Sequence, residues 1–175
     1  MTILTTERLI LAPPTAADFD EFAALLGDPT AMAFIGGAQS RALSWRTMMQ
    51  MAGTWATYGF GFFIVRERES GKVVGRVGTH QPEGWPGTEV GWALHGHAQG
   101  KGYATEAASA AIDFAVDTLG WTEVIHCIDA GNEPSMAVAR RLGSRVLRTA
   151  MLPDPINHET VCWGQTAVEW RARRG

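Results

Sequence analysis

Near the middle of the chain, the stretch "HAQGKGYATEAASAAIDFAVDTLGW" sets Gly100 and Gly102 against the start of an Ala-rich pattern at helical spacing. A segment that leaves a strand and opens a helix offers unpaired backbone N–H groups at the positive end of the helix dipole, and so favours an anion. Without a Cβ, these glycines let an anion reach the main chain and adopt a positive φ at little cost. The chemistry indicated is phosphate binding; the alternative is a turn whose glycines only permit tight packing. A P-loop is excluded, because three residues rather than four separate Gly96 from Gly100 and Lys101 is followed by Gly. A dinucleotide fingerprint is weak, because Thr105 stands where the third Gly belongs. Nearby, Glu89 is the only carboxylate of its strand, and His80 brings an imidazole that titrates near pH ~6.5 when unperturbed. His95 and His97 alternate as a strand pair would, but without a third ligand they argue against a metal.

These groups must be held by elements that the rest of the chain encodes. "RLILAP" reads as a first strand, Thr15 and Asp18 as a capping box, and Phe19, Phe22, Leu25 and Leu26 as the apolar face of a first helix. Trp45, Met48, Met49, Ala52, Trp55 and Ala56 mark a second helix and its core face. From Phe60 the period becomes two: "FFIVRE", "KVVGRVGTHQ" and "TEVGWALH", divided by "ESGK" and "PEGWPG", predict an antiparallel meander. A helix from about Gly102 to Leu119 follows, with Ser109, Asp113 and Asp117 on its wet side, then "EVIHCI", a short helix in "SMAVARRLG", and strands around "RVLRTAML" and "ETVCWGQTAVEW". The terminal "RARRG" reads as a solvated tail.

At 175 residues with 46% hydrophobic content, the chain can bury one sizeable core. A net charge of -3 leaves no electrostatic footprint for nucleic acid or an anionic membrane. Cys127 and Cys162 fall in unrelated apolar segments, which suggests neither zinc nor a disulfide framework and fits a reducing cytoplasm. No signal peptide or membrane span is legible.

The stretch Gln99-Gly100-Lys101-Gly102-Tyr103-Ala104 resembles the Gln/Arg-x-x-Gly-x-Gly/Ala signature of the GNAT acyltransferase superfamily, whose backbone amides hold the pyrophosphate of acetyl-CoA. The resemblance extends to "TERLIL", "GFFIVRERESGKVVGRVG", "EVGWAL", "GKGYATEA" and "NEPSMAVARRLG", which look like the RimJ/RimL type of N-acetyltransferase. It implies a single α/β domain over residues 1–175, with a mixed, mostly antiparallel seven-stranded sheet flanked by helices and splayed between the fourth and fifth strands to admit the pantetheine. The element order read from periodicity agrees with it.

By the same resemblance, Trp92, Ala93 and Leu94 pair with the pantetheine, and one N–H among them meets the thioester oxygen. Glu89 matches the glutamate that accepts the amine proton, with His80 or water as the alternatives. Asn132 and Ser135 lie near the pantetheine and thiol, and Ser135 is the hydroxyl available to the leaving thiolate because Ala139 replaces the usual tyrosine. Ser144 stands where an aromatic is usual, and Ala12 where this branch often has Arg. The implied activity is direct transfer of acetyl from acetyl-CoA, without a metal, to a primary amine: a peptide N-terminal α-amine or a small molecule. An α-amine, with a free pKa near ~7.7–8.0, needs less help from a base than a lysine near ~10.4. The loop near "IGGAQS", the second helix and the loop "LPDPINHE" are the expected acceptor walls. A homodimer is among the assemblies allowed. The rival reading is a non-catalytic acyl-CoA sensor or scaffold.

Overall fold

Thr15 N and Oγ1 donate to Asp18 Oδ2 at 2.6 and 2.8 Å, and Asp18 N returns to Thr15 O at 3.0 Å, so the first helix begins with the cap its sequence spacing predicts. The computed structural model describes residues 2–154 and 156–174. Helix α1 (Phe19–Gly27) buries Phe22, Leu25 and Leu26. Helices α2 (Arg41–Tyr58), α3 (Tyr103–Asp113), α4 (Glu133–Arg141) and α5 (Ala167–Arg174) follow, with α3 running on through a π turn over Phe114–Thr118. The strands are β1 (Leu4–Thr5), β2 (Leu9–Ala12), β3 (Phe62–Glu67), β4 (Val73–His80), β5 (Glu89–Leu94), β6 (Glu123–Ile128), β7 (Arg145–Met151) and β8 (Glu159–Thr166). They form one sheet in the order β1-β2-β3-β4-β5-β6-β8-β7, antiparallel except between β5 and β6.

Alternation of side chains assigns each sheet face its cover. On one face, Phe22, Leu26, Met48 and Met51 from α1 and α2 pack on Ile64 and Val73. On the other, Ala107, Ala108, Ala111 and Ala115 let α3 lie close to Phe63, Val65, Val77 and Val90. The GNAT architecture expected from the sequence is present, with one strand more than the seven expected. Thr6 N donates to Leu9 O at 3.0 Å and turns β1 back on β2, but two residues are too few for a period of two to register.

Three local expectations are corrected. On α2 the buried residues are Ser44, Met48 and Met51, whereas Trp45 is 52% exposed and Met49 38%. Ser44 can face inward because its hydroxyl donates to Ser40 O at 3.1 Å. The last strand stops at Thr166 and becomes α5, because Thr166 and Glu169 form a reciprocal cap: Thr166 N and Oγ1 each donate to Glu169 Oε2 at 2.8 Å, and Glu169 N to Thr166 Oγ1 at 3.2 Å. The arginine-rich terminus is therefore helical rather than a free tail. Its Arg174 pairs with Asp113 and Asp117, which stay partly exposed on the expected wet side of α3.

Candidate active site

Strands β4 and β5 pair continuously from Gly75–Leu94 to His80–Glu89, but the β5–β6 ladder is reduced to Glu89 opposite Ile125. Two side chains end it. The N–H of Cys127, which would continue a parallel ladder, donates to Glu89 Oε1 at 2.9 Å. Val90 O, the acceptor it would have used, is taken by His126 Nδ1 at 2.6 Å. Beyond these bonds the strands diverge, and the implied splay lies between β5 and β6 because β1 adds one to the strand count. His126 Nε2 is 3.1 Å from Ser144 Oγ, which also accepts from Gln165 Nε2 at 3.0 Å. Burial pushes the imidazole down to about 4, so the wedge is neutral. Ser144 replaces an expected aromatic contact with a hydrogen bond.

His95 N donates to Val74 O at 3.0 Å, which fixes the parity of β5. The main-chain groups of Gly91 and Ala93 turn toward β4, while those of Trp92 and Leu94 turn into the fork. Of the three positions expected to pair with pantetheine, Ala93 is therefore engaged within the sheet. Across the fork, Trp92 Nε1 donates to Ser135 Oγ at 3.2 Å, and Ser135 N to Asn132 Oδ1 at 3.2 Å. The structure thus gathers Trp92, Asn132 and Ser135 at the first turn of α4. Ala139, farther along that helix, is fully buried against Ile128 and Trp163.

The loop leaving β5 turns at Gly100 (φ 74°) and Gly102 (φ 81°), both in the left-handed region that glycine tolerates. A Cβ at Gly100 would meet nothing within 4 Å, so backbone conformation rather than packing requires glycine there. Among the described residues, no protein acceptor takes the N–H of Gly100, Lys101, Gly102, Tyr103 or Ala104. Gln99 Nε2 reaches Leu94 O at 3.4 Å, and the Tyr103 hydroxyl bonds Glu67, so these side chains brace the loop. Arg8 donates from Nη1 to Lys101 O at 3.0 Å and from Nε to Glu106 Oε2 at 2.7 Å. The unpaired donors and open fork fit the pyrophosphate and pantetheine of CoA.

Glu89 and His80 are cross-strand partners on the face covered by α1 and α2, whereas Trp92 and Ser135 lie on the face covered by α3 and α4. Only 6% exposed, Glu89 is raised by burial to about 7, although the N–H groups of Cys127 and Trp85 and the Arg76 charge oppose the shift. Trp85 Nε1 donates to Glu89 Oε2 at 2.6 Å. Burial and then Arg76 depress His80 to about 4. At neutral pH the carboxylate is the stronger base of the two. Sequence reasoning missed Arg76, His126 and Trp85, because a lone residue has no spacing to reveal it.

The expected acceptor walls are only partly assembled. Helix α2 lines a cavity beside Arg76 and His80 through Thr47, Gln50 and Thr54. Phe34, before "IGGAQS", reaches Gly131, and Pro153 approaches Gly84. Pro155 of the third wall lies outside the described residues. Cys127 and Cys162 are direct cross-strand partners, contrary to their distance in sequence, and both thiols are free. Burial raises both thiols. Among the described residues, no group of three or more His, Cys, Asp or Glu is placed to hold a metal ion, and no helix is long and apolar enough to cross a membrane.

A family model described as an acetyltransferase (GNAT) domain matches residues 8–145. An acetyltransferase from Agrobacterium tumefaciens superposes with a TM-score of 0.83 at 30% identity, covering 94% of each chain. The uncharacterized N-acetyltransferase p20 of Bacillus licheniformis is 27% identical over 145 residues, 81% of this chain and 82% of its own. The ribosomal-protein-S5-alanine acetyltransferase of Vibrio fischeri shares the fold at a TM-score of 0.76 and 17% identity, covering 97% of this chain and 99% of its own.

Proposed function

Because the chain belongs to the GNAT acetyltransferase family and is an N-acetyltransferase, we propose that it transfers acetyl to a primary amine by direct attack, with Glu89 accepting the amine proton. Acetyl-CoA, the co-substrate of this family, supplies an activated thioester. The N–H groups from Gly100 to Ala104 would hold its pyrophosphate, while the main-chain groups of Trp92 and Leu94 would hold its pantetheine. Asn132 shapes the first turn of α4 by capping Ser135 N, and the Ser135 hydroxyl keeps its proton free for the leaving thiolate. The observation that carries this reading is a buried carboxyl, raised to about 7, at the fork where β5 and β6 part. A base of that strength is half ionised near neutrality and suits a protonated amine. We place the whole activity in a single domain.

The acceptor is either a peptide N-terminal α-amine or a small-molecule amine. The RimJ/RimL-like reading rests on the sequence segments that suggested it and on the fold shared with the ribosomal-protein acetyltransferase. Acetyl-CoA turnover, read as free thiol across a panel of amines and peptides with mass-spectrometric product detection, tests the activity. Thiol release with acetylated product supports it; binding of CoA without release supports a non-catalytic CoA-binding domain.

A further inference from the structure

One charge on the acceptor face has no assigned role in acetyl transfer beyond its opposition to the raised pKa of Glu89. Arg76 sits mid-strand in β4, opposite Ile64 on β3 and Ala93 on β5. Its guanidinium lies over the Phe62 ring, 4.5 Å from the centroid. Its Nε is buried without a hydrogen-bond partner, and among the described residues no carboxylate lies within ion-pair distance. Arg66, on the neighbouring strand, is instead closed by Asp18. Glu89 supports this charge only through space, and burial outweighs that support, so a partly buried cation with no contacting counter-ion is costly and its retention points to an anionic ligand.

The surroundings agree. The cavity beside Arg76 has a volume of about 50 Å³ and receives Thr47, Gln50 and Thr54 from α2, with His80 at its other side and no acidic residue in its lining. That is room for a carboxylate-sized group. The Phe62 ring continues from this cavity toward the base, standing 5.1 Å from the His80 ring. A Cβ at Gly91 would sit 3.3 Å from the Phe62 ring and 3.6 Å from Glu89 Oε1, so its absence keeps the strip between cavity and carboxylate open.

We propose that this cavity is an anion subsite of the acceptor site, in which Arg76 binds a carboxylate carried by the acceptor several bonds from its amine. The substrate class is therefore an amino carboxylate, and its source is either a free small molecule or an acidic side chain near a peptide N-terminus. The inference rests on the reading that the amine is deprotonated at Glu89.

The test uses the whole protein loaded with CoA and measures product binding by calorimetry, which needs no turnover. The probes are N-acetyl-β-alanine and N-acetyl-γ-aminobutyrate, each against its carboxamide, and an acetyl-Asp peptide against its acetyl-Asn counterpart. Wild type should bind at least one carboxylate about ten- to a hundredfold more tightly than its neutral twin. The preferred pair identifies whether the source is small molecule or peptide. Arg76→Gln should erase the preference, and Arg76→Lys should keep part of it, because an ammonium supplies charge without the planar fork. Thr54→Glu leaves Arg76 in place but fills the cavity with an internal carboxylate, so it should erase the preference too.

Equal binding of the twins by wild type, or an unchanged preference in Arg76→Gln and Thr54→Glu, would overturn the proposal. If Arg76 only tunes the charge of Glu89, its removal shifts the pH profile of both members alike and leaves their ratio intact, which also overturns it. A binding preference without acetyl transfer to any acceptor would sustain the subsite and sink the catalytic reading instead.

Discussion

As the proposed base, Glu89 would have two jobs that pull on the same two oxygens. One is structural: Oε1 holds the Cys127 N–H that would otherwise extend the β5–β6 ladder. The other is chemical, since a second lone pair on each oxygen leaves room for a proton. Glu89→Gln separates them, because a carboxamide oxygen can still accept from Cys127 but cannot act as a base; its NH2 leaves the Trp85 indole N–H without an acceptor, a cost that does not vary with pH. We expect kcat to fall roughly 10²-fold, CoA affinity to stay near wild type, and the rate limb near pH 7 to disappear from the activity profile. Stability supplies a second readout. The carboxyl titrates at 4.5 unfolded and about 7 folded, so its contribution is full below 4.5 and lost as pH rises through 7. The opposing shifts of His80 and His126, each to about 4, make stability fall as pH drops below 6.5. They are common to both proteins and cancel in the comparison. Glu89→Gln should therefore gain on wild type between pH 4.5 and 7, by up to about 3 kcal/mol in chemical denaturation; a pH-independent difference would refute the raised pKa.

Ser135 is separable in the same way. Asn132 caps its backbone N–H, so Ser135→Ala keeps the helix start and loses only the hydroxyl that accepts from Trp92. We expect kcat to fall about ten- to a hundredfold while the orphaned indole costs about 1 kcal/mol. Lower stability with unchanged kcat removes Ser135 from the chemistry. At this scale the sequence exposed Glu89 as the only carboxylate of its strand, but not its burial, nor the Trp85 and Cys127 N–H groups that hold its two oxygens.

Among the elements, those with a long period were legible and those defined by partners were not. The meander from Phe62 to Leu94 follows directly from alternation, and α3 from its alanine stripe. The α2 face was misread because Trp45 and Met49 outrank Ser44 on any apolar scale, although a serine bonded to Ser40 O is the residue that fits inside. Helix α5 carried a readable Thr166-x-x-Glu169 cap inside an apparent strand. On the proposed reading, CoA binding depends on the fork together with the loop that opens α3. Gly102→Glu forces a non-glycine residue to φ 81°, brings a Cβ to 3.4 Å from Arg8 Nη2, and sets a carboxylate among the unpaired N–H groups. Wild type should gain about 2.7 kcal/mol at CoA near 100 times its Kd, visible as a thermal shift, and Gly102→Glu should show none. A folded Gly102→Glu protein with the full shift would move the pyrophosphate elsewhere.

For the whole molecule the question is whether α5 is part of one cooperative unit or an appendage. Its arginines suggest attachment by charge, since Arg171 and Arg174 reach Asp117 and Arg174 also reaches Asp113. Those pairs are partly or largely exposed, and such pairs are worth about 0–1 kcal/mol each. Trp170 is the stronger link: it is 5% exposed, belongs to the core beneath α3, and donates from Nε1 to Asp113 Oδ1 at 2.8 Å. Replacing a buried tryptophan with alanine costs about 3–5 kcal/mol, a large part of the 5–15 kcal/mol that holds an ordinary domain together. If the chain is a single domain, Trp170→Ala should lower the Tm of one transition by roughly 10 °C, with far-UV and near-UV signals still coincident. Because α3 carries the glycine loop at its other end, CoA should then stabilise the variant and wild type by the same increment. A small early transition with an unchanged main Tm would instead make α5 an independent appendage. Arg174→Ala separates the two kinds of attachment, since loss of exposed ion pairs alone should shift Tm by no more than a few degrees.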